Sequence, residues 1–99
     1  MNKNNYIIIS FYKFTELSKI NEIKIKFRKL CISLKVKGLI ILANEGVNLG
    51  VSLPIENKVS FINYLYSNFK AKNNDIKTYS YDSGYNGWNN QLYMGLLFK

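Results

Sequence analysis

One cysteine, no histidine and few carboxylates set narrow limits on the chemistry this chain can perform. Nucleophilic hydrolysis needs a hydroxyl or thiol activated by a nearby base, so a Ser, His and acid set and a Cys-His pair both fail for want of imidazole. Cys31 has basic neighbours in Arg28 and Lys29, yet it lies beside an apolar stripe and reads as a small core residue. Glu45 has no second carboxylate at useful spacing and reads as a turn residue rather than a general base. Gly46 and Gly50 lead into alternating residues instead of opening a helix, and no Lys-Ser or Lys-Thr pair follows, which rejects a nucleotide-phosphate loop. No group of Cys and His has zinc spacing, so neither a metal nor another cofactor is expected, and no residue is assigned a catalytic role.

Charge is the other chemical signal. Fourteen Lys and Arg against six Asp and Glu give a net +8 over 99 residues. Such an excess suits an anionic partner, whether RNA, DNA or a membrane surface, and equally suits plain solubilising charge in a chain rich in Lys, Asn and Ile. The lone cysteine fits a reducing cytosol. No apolar run approaches the roughly 18 residues of a membrane span, and no signal peptide opens the chain, so a cytoplasmic protein without a membrane partner is expected.

The elements that must position these residues follow from periodicity. YIIISFYKF, Tyr6–Phe14, is β-branched and aromatic, which predicts a strand with Ile7, Ile9 and Phe11 on one face and Ile8, Ser10 and Tyr12 on the other. Thr15 is placed to cap a helix from Glu16, along which Leu17, Ile20, Ile23, Phe27, Leu30 and Leu34 draw one apolar stripe. Lys37-Gly38 is expected to end it, with Gly38 as the left-handed cap. GLIILA, Gly38–Ala43, reads as a buried strand, and VNLGVS, Val47–Ser52, as a half-buried one. Asn44, Glu45 and Gly46 remain between them, a length suited to a hairpin turn closed by a left-handed Gly46. Pro54 precedes a second helix with Ile55, Val59, Ile62, Leu65, Tyr66 and Phe69 on its stripe. IKTYSY, Ile76–Tyr81, reads as another strand; after the turn-rich DSGYNGWNN, LYMGLLF reads as a last one.

Two strand-helix-strand units joined by a hairpin predict a single domain over residues 1–99: a ferredoxin-like α+β βαββαβ sandwich with an extra C-terminal strand, both helices on one sheet face. An acylphosphatase-like hydrolase of this topology needs an Arg after the first strand, where Thr15-Glu16-Leu17 stands instead. A stand-alone RNA-binding module would stack bases on aromatics of its two central strands. The first strand offers Tyr12 or Phe11, whereas the hairpin strand offers Asn48 and Gly50. Tyr79, Tyr81, Tyr85, Trp88 and Tyr93 crowd the C-terminal quarter and suit packing or stacking alike.

YIIISFYKF followed by CISLKVKGLIILANEGVNLGVS, Cys31–Ser52, resembles the start of the rhodanese-related tRNA uridine-34 hydroxylases, whose N-terminal domain carries a YKF strand and a segment like KG-ILLA-EGIN. The resemblance implies an acylphosphatase-like domain of a protein that uses molecular oxygen to form 5-hydroxyuridine at the tRNA wobble position. It implies catalysis in a separate rhodanese domain, in cis or in trans, which is absent from this chain; Cys31 cannot supply its active-site cysteine. The expected role is non-catalytic positioning of tRNA, held weakly and together with that second domain. Lys13, Lys24, Arg28, Asn48 and Lys99 are the residues expected to meet RNA. Asn44, Glu45, Gly46 and Gly50 form the structural motif.

Overall fold

The computed structural model describes residues 5–82 and 95–99. Strand β1 (Asn5–Phe14) leads to helix α1 (Ile20–Ser33), then to β2 (Lys37–Ala43) and β3 (Gly46–Pro54). A 3₁₀ turn, Ile55–Asn57, opens helix α2 (Lys58–Phe69), and a second, Asn73–Asp75, precedes β4 (Ile76–Asp82); β5 (Leu96–Phe98) closes the order. The sheet runs β4-β1-β3-β2-β5, with antiparallel pairing throughout except for the parallel β2–β5 edge. This is the expected ferredoxin-like sandwich with its added strand. The expected turn stretch from Asp82, the aromatics Tyr85, Trp88 and Tyr93, and the first half of LYMGLLF fall mostly or wholly outside the described residues.

Alternation sorts the strand side chains. Ile7, Ile9 and Phe11 of β1, Ile40 and Leu42 of β2, and Val47, Leu49, Val51 and Leu53 of β3 are buried on the face that meets the helices. Phe27 and Cys31 of α1 and Phe61, Leu65 and Phe69 of α2 complete that core. Phe27 sits at its centre, its ring 4.8 Å from Tyr64, 5.5 Å from Phe69, and 5.8 Å from both Phe61 and Phe98. Such aromatic contacts add to plain area burial.

Several boundaries differ from the sequence expectation, each for a visible reason. Helix α1 begins at Ile20 rather than Glu16, because the Thr15 amide donates to the Glu45 carbonyl (3.0 Å) and the Leu17 amide to the Asn44 carbonyl (2.9 Å). Thr15 therefore caps nothing; Lys19, in left-handed conformation, precedes the first turn without a side-chain cap. The same helix ends at Ser33, not at Gly38. Its close is a Schellman pair in which Val36 N–H donates to Cys31 O and Lys35 N–H to Ile32 O, with Lys35 at φ 60° in the place glycine favours. The Asn57 side chain donates to the Leu34 carbonyl, tying this end to the turn before α2.

Gly38 instead lies inside β2 at φ 133°. A Cβ there would stand 2.3 Å from the Gly50 carbonyl oxygen and 2.7 Å from Val51 Cα. Close approach of two backbones, not helix termination, is what this glycine permits. The apolar run of β2 is also not wholly buried: Leu39 and Ile41 are exposed, between buried Gly38, Ile40 and Leu42. On α2 the buried line is Phe61, Leu65 and Phe69, while Ile55, Val59 and Tyr66 face outward. Of the expected stripe Leu65 and Phe69 are buried and Ile62 packs against the core; Val59 and Tyr66, on the same helix, flank the buried line rather than lie on it.

Candidate nucleic-acid interface

The hairpin between β2 and β3 turns on Asn44 and Glu45 alone, since Ala43 already pairs with Gly46. Gly46 is thus the first residue of β3, at φ 159°, close to extended backbone rather than a left-handed bulge. Space explains the glycine better than dihedral preference: a Cβ at Gly46 would lie 2.3 Å from the Lys13 carbonyl oxygen. The carbonyls of Asn44 and Glu45 hold the loop after β1 through Leu17 and Thr15. The segment is a structural tie between hairpin and loop. Gly50, partly exposed at the middle of β3, lies opposite both Ser10 and Leu39.

That tie also bears on phosphate chemistry. Two amides of the loop following β1 are already donated to carbonyls, and residues 15–19 contain no Arg. A loop that cradles phosphate needs free N–H groups and compensating charge. Glu16 and Glu45 stand beside this loop instead. Its residues do not fit acylphosphatase chemistry.

Cys31 is fully buried, and desolvation pushes its thiol up to about 12, against the opposing influence of Arg28. A neutral thiol without access is neither nucleophile nor ligand. Among the described residues, no three His, Cys, Asp or Glu side chains gather to hold a metal ion. A thiol-specific reagent is expected to leave the folded chain unlabelled and to modify one thiol after denaturation. Cys31→Ala should lower stability by about 1–2 kcal/mol. An acid whose folded value is raised stabilises the fold below its unfolded value and loses that contribution as pH climbs. Wild-type stability should therefore fall between pH 9 and about 12, and Cys31→Ala should fall less steeply. Rapid labelling of the native protein would contradict the burial.

The five residues expected to meet RNA do not form one patch. Lys24 and Arg28 lie one turn apart on α1, and the Arg28 guanidinium rests 5.1 Å over the Phe98 ring. Lys13 is engaged elsewhere: its ammonium donates to Asp75 at 3.0 Å, both side chains largely shielded. That bond, with the Lys72 amide, holds the Asp75 carboxyl below its usual range. Asn48 is exposed on the sheet face turned away from the helices, and the β5 register brings Lys99 to that same face, beside Ile41. Sequence reading passed over Lys37 and Lys77, which share this open face through their pairing with Ser52 and Ser10. The signal was present in strand alternation, but it needed the register to be read. Among the described residues, no helix is long and apolar enough to cross a membrane.

A βαββαβ sandwich with a fifth, parallel edge strand defines a ferredoxin-like domain of the acylphosphatase-like class, here with no Arg in the loop after β1. Residues 6–90 match the family described as the UPF0176 acylphosphatase like domain, and the chain belongs to that family. It is 44% identical over 69 residues to a tRNA uridine(34) hydroxylase of Enterobacter sp. (strain 638), covering 69% of this chain and 20% of that protein. A protein of the same name from Wolbachia sp. subsp. Brugia malayi is 31% identical over 68 residues, covering 69% and 25%. Another, from Cupriavidus pinatubonensis, is 37% identical over 59 residues, covering 60% and 21%. The chain thus matches a fifth to a quarter of the length of these relatives.

Proposed function

We propose that this domain is the non-catalytic, substrate-positioning part of a cytoplasmic tRNA uridine(34) hydroxylase system. It holds tRNA for a rhodanese-type catalytic domain supplied in cis or in trans. The family match over residues 6–90, with relatives that carry this name, is the observation on which the reading rests. The +8 charge gives it a physical basis, since lysines near phosphates release condensed counterions. The buried, protonated Cys31 supports a role without chemistry of its own.

Labelled tRNA titrated with the chain should bind with Kd on the order of 10⁻⁴ to 10⁻⁶ M at physiological salt and markedly tighter at low salt, as expected for mainly phosphate contacts. Adding the rhodanese-bearing remainder of a relative should tighten the complex. Binding that ignores salt, or none at low salt, would remove the RNA role. Tight binding that gains nothing from the added domain would favour a stand-alone RNA module.

A further inference from the structure

The sheet has two unlike faces. One is sealed by α1 and α2; the other carries Tyr12, Phe14 and Tyr79, exposed by 55%, 71% and 56%. Register confirms that these belong together. Tyr12 pairs with Asn48, Phe14 with Gly46, and Tyr79 with Ile8, whose neighbours on β1 in turn point to the helices. Tyr12 and Phe14 meet edge to face at 5.1 Å between centroids, leaving ring surface open to solvent. Beside them lies a shallow depression of about 130 Å³, bounded by Tyr12, Phe14, Ile41, Ala43, Gly46 and Asn48, with Glu45 at its turn end.

On the strand positions of this face charge is one-sided, Glu45 standing at the turn beyond them. Lys77 lies on the β4 side, while Lys37 and Lys99 lie on the β2 and β5 side. No Asp or Glu occupies an open-face position of the five strands among the described residues. Between the lysines Ser10, Asn48 and Gly50 form a low strip, bordered by the exposed Leu39 and Ile41, so a planar group can approach the backbone there. Ile8 and Ser52, further along the same face, are buried, which confines the accessible area to the hairpin half and Tyr79.

We infer that this open face is a docking surface for unpaired RNA bases, stacked on Tyr12 and Phe14, with Tyr79 as a second stacking point and Lys37, Lys77 and Lys99 meeting the phosphates. The inference rests on the proposed role in tRNA positioning and adds the surface and the RNA structure it takes. Aromatic rings offer stacking to any base, and flanking ammonium groups follow the backbone. About 13 Å of β1 separates the level of Tyr12 from that of Tyr79, so the two points would engage different nucleotides of one strand. A folded protein partner would find apolar contact at Leu39, Ile41 and Leu97, but it would have to place carboxylates opposite three separated lysines, whereas a nucleic-acid strand carries an anion at every phosphate. The charge pattern favours RNA.

Two RNA probes separate the possibilities: a hairpin with an unpaired loop and a fully paired duplex of equal length. The Tyr12→Ala/Phe14→Ala double variant of the full chain should lose affinity for the looped RNA by tenfold or more, the effect of removing base stacking. Its affinity for the duplex should stay within twofold, and Tyr12→Phe with Phe14 intact should bind like wild type. Both side chains are exposed, so the fold should persist, checked by an unchanged melt. Equal loss for loop and duplex, or no loss for either, overturns the inference. If Lys24→Ala/Arg28→Ala then abolishes binding, the RNA role stands but sits on α1. If the aromatic variants keep RNA yet fail to associate with the rhodanese-bearing remainder, the face is a protein dock and the inference also fails. Wild type that binds neither RNA overturns both this and the positioning role.

Discussion

Gly38→Ala should cost roughly 3 kcal/mol or more, enough to remove a large part of the stability of a domain this size. The added methyl would meet the Gly50 oxygen at 2.3 Å and Val51 Cα at 2.7 Å, both backbone atoms that cannot swing aside. At φ 133° the residue also occupies backbone space that L side chains avoid. Relief would require β2 and β3 to separate where they pair and would disturb the Gly38 amide, which donates to the Gly95 carbonyl at 2.7 Å. Gly46→Ala should follow closely for the steric reason alone. Gly95→Ala is the internal control, because a Cβ there meets nothing within 4 Å. Urea melts of the three variants decide the matter: a Gly38→Ala midpoint equal to that of Gly95→Ala would refute the close approach.

Phe27→Ala should destabilise by about 3–5 kcal/mol, the range for emptying a large buried aromatic site. Four rings surround Phe27, contributed by α2 and β5, so none can refill the space without abandoning its own contacts. The Arg28 guanidinium should also lose its seat, because the Phe98 ring beneath it packs edge-on against Phe27. Phe27→Leu should cost less than half as much. A loss under 1 kcal/mol for the alanine variant, measured by denaturant midpoint at unchanged slope, would show that the aromatic cluster repacks freely.

Much of the architecture was legible because strands advertise themselves by alternation. Ile7, Ile9 and Phe11, and Val47, Leu49 and Val51, are buried as their spacing predicts. The stripe of α1 from Ile20 to Leu34 also packs on the core, with Leu17 joining it from the preceding loop. What failed was local grammar overridden at a distance. Thr15 has the chemistry of a cap, but hairpin carbonyls claim its amide. Lys35 lacks the chemistry of a left-handed cap yet serves as one, while Gly38 is needed where two strands touch. Phe61 escaped notice because the stripe was drawn through Val59 and Ile62, on either side of it, while the buried line runs Phe61, Leu65 and Phe69. For the candidate interface, alternation set Tyr12 and Asn48 outward, but only the strand register brings Lys37, Lys77 and Lys99 to their face. Lys13 looked available and is paired with Asp75; Lys37 and Lys77 looked ordinary and flank the open face.

The strand order has a consequence for how the chain reaches this state. Only the β2–β3 hairpin joins segments adjacent in sequence; β1 must find β3 and β4, and β2 must find β5, across long intervening stretches. Closing such loops costs chain entropy before any contact repays it, so the search is slow and the hairpin is the natural place for it to begin. Until Leu96–Phe98 arrive, β2 presents an unpaired edge and Phe27 lacks its Phe98 neighbour. Three residues, Leu96–Phe98, thus cover the β2 edge, and their deletion should leave that edge open to pairing with a neighbouring chain.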